Sequence, residues 1–155
     1  MSSADVPTPG PDEHRRAAVS ANHHAWTLLT VPSRSADEDE DMVRSAYAAA
    51  HHWQHARGAG PENEARAAYL VAKVLLLTGH PEGALRSADR SLRACEEHGL
   101  ADFDLAYAHE IRARALAALD REDEAAWEWV AAVAVPIADP DDRALVEADF
   151  ADRPV

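Results

Sequence analysis

The chain has 155 residues, enough for one domain with a real core, and carries 28 acidic against 15 basic side chains for a formal net charge of −13. So acidic a surface repels phosphate backbones and anionic lipid, which excludes nucleic acid and membrane surfaces as partners and leaves basic or neutral ones. The single cysteine, Cys95, excludes an internal disulfide framework and suits a reducing cytoplasm.

Residues 1–11 are rich in Ser, Pro, Asp and Gly, bury little apolar surface and are expected to form a flexible tail. They show no signal-peptide pattern, so a cytoplasmic location is expected, and residues 12–155 form one helical-repeat domain. No stretch alternates apolar and polar residues as a strand does, and breakers divide the chain into seven helices. The first is predicted from about Asp12 to Leu29, before Pro32. The second, capped by Ser35 or Asp37, has an acidic first turn, "DEDED", and runs to Arg57 before "GAG". The third follows Pro61 and ends at Gly79. The fourth starts at Pro81 and stops at His98–Gly99. Asp102 is expected to cap the fifth, which runs to about Leu119. Asp120 or Glu122 opens the sixth, stopped by Pro136, and Asp139–Pro140 opens a short seventh. Turns this short force neighbouring helices antiparallel, as stacked hairpins.

The segments "AYLVAKVLLLTGHPEGALRSADRSL" from Ala68 and "AHEIRARALAALDREDEAAWEWVAA" from Ala108 lie over each other. Small residues at the helix approach, Ala72 and Ala113, and at the start of the return helix, Ala84 and Ala125, share an offset of 41 residues. A fixed offset with small residues at crossings is the mark of a helical repeat. "LLLTGHPEGALRSADRSL" resembles a tetratricopeptide repeat, and "CEEHGLADFDLAYAHEIRARALA" is similar to small bacterial proteins of that type. The resemblance covers residues 61–135, with 12–57 as a third hairpin. It departs in its longer period and in Asp120, which replaces the turn glycine. It implies an all-α, tetratricopeptide-like α-solenoid and no chemistry. Within the fourth helix Ala84, Leu85, Ala88, Ser91, Leu92 and Cys95 form one stripe, so Cys95 reads as a small buried hydrophobe.

Residues 51–57 read "HHWQHAR". At 100° per residue, Val43, Ala46, Tyr47, Ala50 and Gln54 are expected on the core side, with His51 and His55 paired on one shoulder and His52 pointing away. An i,i+4 histidine pair can bind a divalent metal, with a third ligand from His23, His24, His109 or Glu110. The glutamate that follows the first histidine in zincin helices is absent, so the preferred reading is a histidine and aromatic shoulder packing the first two helices, with no cofactor. Phosphate-binding loops, nucleophile elbows and CxxC pairs are absent, and "DEDED" lacks the glycine and spacing of a calcium loop.

In the resembled fold the first helix of each hairpin lines a concave groove. Arg66, Tyr69 and Lys73 of the third helix and Tyr107, Glu110 and Arg114 of the fifth would face it. Three bases beside two tyrosines suit a ligand with a carboxylate; the competing reading pairs these bases with Glu110, Glu62 and Glu64 in a solvated network. The expected function is a non-enzymatic module binding a peptide or protein segment with carboxylate or acidic groups. The alternative is a small metal-dependent or acid/base enzyme built on His51 and His55. Self-association through "AAWEWVAAVAV" is a third possibility, since Trp127 and Trp129 cannot share a helix face and one of them is expected on the surface.

Overall fold

The computed structural model describes residues 6–154; of the expected tail, residues 1–5 lie outside the described part, and residues 6–10 are non-helical. Seven helices and no strands occur among the described residues: α1 (Pro11–Leu29), α2 (Ala36–Trp53), α3 (Pro61–Leu77), α4 (Pro81–His98), α5 (Asp102–Ala118), α6 (Glu122–Ala134) and α7 (Pro140–Asp149). None of them is long and apolar enough to cross a membrane. From α1 to α6 each helix packs against the next in the chain, and α3 also packs against α5, which in turn holds α7.

Local chemistry explains most boundaries. Ser35 accepts the Glu38 amide at 3.1 Å while the Glu38 carboxylate accepts the Ser35 amide at 2.8 Å, a closed capping box at the start of α2. Asp139 accepts two amides of the first turn of α7, from Asp141 and Asp142. Asp102 does not cap α5 as expected. Ala101 takes that position, and Asp102 is the first helical residue, with φ +59. Its carboxylate accepts the amides of Phe103 and, from the α6–α7 connection, Ala138. Helix α2 stops at Trp53 instead of Arg57. Residues 54–57 turn, and the Arg57 amide donates to the Pro11 carbonyl at 3.0 Å, which ties the end of this hairpin to the start of α1.

Helices α3 and α5 end alike. Gly79 has φ +82 and Asp120 φ +59, and in each case the next amide, of His80 or Arg121, donates to the carbonyl five residues back, of Leu75 or Leu116. The returning helices start from the same bond, Ala84 to His80 and Ala125 to Arg121. The offset of 41 is thus reproduced in backbone conformation, and Ala72, Ala84, Ala113 and Ala125 are all fully buried.

Alanines at these crossings let the helices approach closely, because a methyl group is all that separates the two backbones. Ala65, Ala94, Cys95 and Ala108 form one such layer, with Ala72, Ala88 and Ile111 in another. Ser91 donates to the Ala65 carbonyl at 2.8 Å within this region. Cys95 is buried and its thiol is pushed up to about 11 by burial, then by Asp104 and Glu96, so it is a packing residue. Larger side chains fill the ends: Leu70, Val74 and Met42 where α1–α3 meet, and Trp129, Phe150 and Val146 beneath α7. The core side of α2 is Met42, Ala46 and Ala49; of the expected residues Ala46 is buried and Val43 and Ala50 pack half-buried against the core, whereas Tyr47 and Gln54 are exposed.

Candidate functional site

Of the six residues expected to line a groove, Tyr69, Lys73, Glu110 and Arg114 border one cavity at the α3–α5 seam, whereas Arg66 and Tyr107 are not part of its lining. Arg66 is committed: its Nε and Nη2 donate to both carboxylate oxygens of Asp104 at 2.8 and 3.0 Å, and its guanidinium sits over Phe103. Tyr69 and Tyr107 meet edge to face with ring centres 5.5 Å apart. Burial raises both phenols, helped for Tyr69 by Glu110 and for Tyr107 by its hydrogen bond to Asp149.

Arg114 is the most heavily engaged. It donates to Glu110 one turn back on α5, to the carbonyls of Asp149 and Asp152, and at 3.0 Å to the Asp152 carboxylate. The Tyr107 hydroxyl donates to Asp149 Oδ2 at 2.5 Å. The C-terminal end of the chain therefore lies on this seam and brings two acids to it.

Glu110 is 4 % exposed. One of its oxygens accepts from Arg114, but Oε2 is buried and has no partner. Burial raises the carboxyl above its ordinary value even though Arg114 and Lys73 pull the other way. Half-buried Lys73 projects between the rings of Trp26 and Tyr69, its nitrogen 5.9 and 5.8 Å from their centres. Among the described residues no carboxylate oxygen lies within 4 Å of it. Between these groups is a cavity of about 220 Å³, walled on its apolar side by Leu76, Leu77 and Ile111 and bordered by Asp149 and Asp152.

The expected network with Glu62 and Glu64 is thus realised in kind but with other partners. Arg114 pairs with Glu110 as that reading held, Arg66 takes Asp104, and Glu64 takes Arg90. Lys73 forms no ion pair in it, although its charge acts on Glu110 and Asp152.

The histidines assemble differently from expectation. His52 does not point away: it is half-buried, and its Nδ1 lies 2.8 Å from Nδ1 of His14 on α1. The rings of His51 and His55 lie 6.2 and 5.1 Å from that of His14. The third ligands considered lie elsewhere in contacts of their own. His24 pairs with Asp41, and His109 pairs with Glu128, which Arg112 also holds. Burial opposes the Glu128 charge, but the His109 hydrogen bond and Arg112 keep it below the usual carboxylate range. His23 is exposed on α1. Among the described residues no three His, Cys, Asp or Glu side chains are grouped so as to hold a metal ion.

A larger hollow of about 540 Å³ lies between α2, α3 and α4, with His51, Trp53 and Gln54 of the "HHWQHAR" stretch in its lining. Ala67, Ala68 and Val71 floor it, Tyr47, His51 and Trp53 form one wall, and Arg90, already paired with Glu64, stands on the other. Of the two tryptophans of α6, Trp129 is buried and Trp127 is 73 % exposed, as their spacing requires.

No family model, no curated protein and no solved structure matches this chain.

Proposed function

We propose that the chain is a non-enzymatic binding module. On this reading its hairpins stack as a short tetratricopeptide-like α-solenoid, and the α3–α5 seam engages a peptide or protein segment that presents a carboxylate. The observation that carries the proposal is Lys73. In a protein of net charge −13, a half-buried ammonium that forms no ion pair within 4 Å among the described residues and lies over two aromatic rings beside a cavity is charge left available for a ligand, although Glu110 and Asp152 share its surroundings. Arg114 supports it by example, since its guanidinium donates to the Asp152 carboxylate on another segment of the same chain. The larger hollow offers area, but its one arginine is already neutralised.

The test is fluorescence anisotropy with N-acetylated peptides bearing one or two acidic residues, on the wild type and Lys73→Ala. Wild-type binding that weakens in Lys73→Ala supports the module. Equal binding by both removes Lys73, and with it this site. Metal analysis of protein purified without a histidine tag addresses the alternative built on His51 and His55, which requires stoichiometric metal or an activity that His51→Ala abolishes.

A further inference from the structure

The two sides of α6 differ. Trp129 turns inward and packs with Val146 and Phe150. Trp127, Val130 and Val133 are 73, 58 and 57 % exposed and follow one another at intervals of three, a stripe along the outer side. The stripe carries no charge. Glu128, which lies between its residues in sequence, is turned to His109 and Arg112.

The repeat shows what covers such a face. Subtracting the offset of 41 maps Val130 and Val133 onto Asp89 and Leu92 of α4 (130 − 41 and 133 − 41). There Asp89 accepts from Arg112 of α5, and Leu92 packs on a cluster that includes Ala108 of α5. At these positions α4 receives the next helix of the chain. After α6 the pattern breaks, because α7 packs against α5. The place of the next helix stays open on α6, and it is apolar where α4 uses an ion pair.

The two ends of the open face carry opposite charge. Glu122 and Asp123 are exposed at the N-terminal end, where the one ion pair among the described residues joins Arg121 to Glu124. Arg143 lies near the C-terminal end. It is exposed, donates to the Ile137 carbonyl at 3.2 and 2.8 Å, and forms no ion pair among the described residues.

We infer that this face pairs with the same face of a second copy of the chain, the two α6 helices lying antiparallel about a two-fold axis at Val130. Trp127 of each copy then meets Val133 of the other, and Val130 meets its own equivalent. Glu122 and Asp123 of each copy extend toward Arg143 of the other, whereas a parallel pair would set acids beside acids. The area fixes the strength. Trp127 exposes about 180 Å², as 73 % of a roughly 250 Å² side chain. With the two valines each copy offers roughly 350 Å², so the pair buries about 700 Å², less than the ~1,200 Å² of stable interfaces. The net charge of −13 on each copy opposes association further. The dimer is therefore transient. It does not involve Lys73 and stands or falls independently of the peptide site.

The test is sedimentation equilibrium on the full chain from about 10 µM to about 1 mM, the range in which so small an interface would populate a dimer. A monomer–dimer equilibrium is expected. Val130→Glu, which sets two like charges face to face, is expected to weaken it at least about tenfold, and Arg143→Glu to weaken it less. Should Val130→Glu not fold, as read by circular dichroism, Trp127→Ala takes its place. Orientation is read by oxidative cross-linking: Val130→Cys is expected to join two copies, while Asp123→Cys and the parent chain, whose Cys95 is buried, are not. A chain that stays monomeric up to about 1 mM overturns the inference. So does a dimer indifferent to both Val130→Glu and Trp127→Ala. Cross-linking through Asp123→Cys in preference to Val130→Cys overturns the antiparallel arrangement. If the chain is monomeric but binds an added helical peptide with one apolar face in a Val130-dependent way, α6 receives a different partner and the second copy falls.

Discussion

Gly79 and Asp120, 41 residues apart, close equivalent turns with the same left-handed backbone, φ +82 and +59. A β-carbon on Gly79 would meet nothing within 4 Å, so any penalty there is purely conformational. Gly79→Ala is expected to cost about 1–2 kcal/mol in urea denaturation, the steric price of a left-handed L-residue. Asp120→Gly works in the opposite direction: it removes strain but adds freedom to the unfolded chain, for a net gain of under about 1 kcal/mol. A neutral Gly79→Ala would show that the two turns are not equivalent.

The same comparison marks how far the sequence could be read. Helix starts followed from Pro61, Pro81 and Pro140, and the stop at Gly99 from its glycine, because these residues constrain the backbone wherever they occur. The offset of 41 followed from small residues, whose burial needs no partner to be known. The core face of α2 followed only in part: Val43, Ala46 and Ala50 meet the core, Tyr47 and Gln54 do not, and the pattern did not mark Met42 and Ala49. Alanines at 46, 48, 49 and 50 surround the helix with nearly equal hydrophobicity, so the pattern has little contrast, and Met42 lies among acids. The contacts that complete the site did not follow. Asp149 and Asp152 reach Arg114 across 35 and 38 residues, and His14 reaches His52 across 38. No local spacing encodes such pairs.

Ala84 of α4 is fully buried in a core cluster to which α1, α2, α3 and α5 also contribute. Ala84→Leu adds three heavy atoms at a crossing that has no room for them. A loss of about 1–3 kcal/mol is expected, read from the thermal midpoint. An unchanged midpoint would place Ala84 away from the crossing and unseat the repeat register with it.

The histidine cluster makes a prediction about pH. Burial lowers the pKa of His52, as do the charges of His14, His51 and His55, and no acid is among the groups acting on it. The folded state therefore takes up a proton at His52 less readily than the unfolded chain does, whose histidine titrates near 6.5. Stability is intact above the unfolded value and is lost as pH falls from there through the folded one. Melting curves between pH 8 and about 5 should show this decline, and His52→Asn should flatten it. An equally steep decline in His52→Asn would put the sensitive group elsewhere.

Lys73 and Arg114 look interchangeable in the sequence, as two groove bases whose loss the fold should survive. The structure separates them. Lys73 lies over two rings and forms no ion pair among the described residues, and its removal forfeits a cation–π contact worth about 0.5–1 kcal/mol where exposed. Arg114 neutralises buried Glu110 and pins the end of the chain through Asp149 and Asp152. Arg114→Ala strands a second oxygen of a carboxylate that burial already disfavours. Leaving such a group unsatisfied costs about 1–3 kcal/mol, and more when it is charged. The thermal midpoint is therefore expected to fall clearly in Arg114→Ala and hardly in Lys73→Ala. Arg114→Ala with Glu110→Leu should recover much of the loss, because the buried charge goes with its partner. Should Arg114→Ala prove as stable as Lys73→Ala, the Glu110 pair contributes nothing to the fold. A Lys73→Ala variant that keeps the wild-type midpoint but loses a ligand would assign Lys73 to binding and Arg114 to holding the site together.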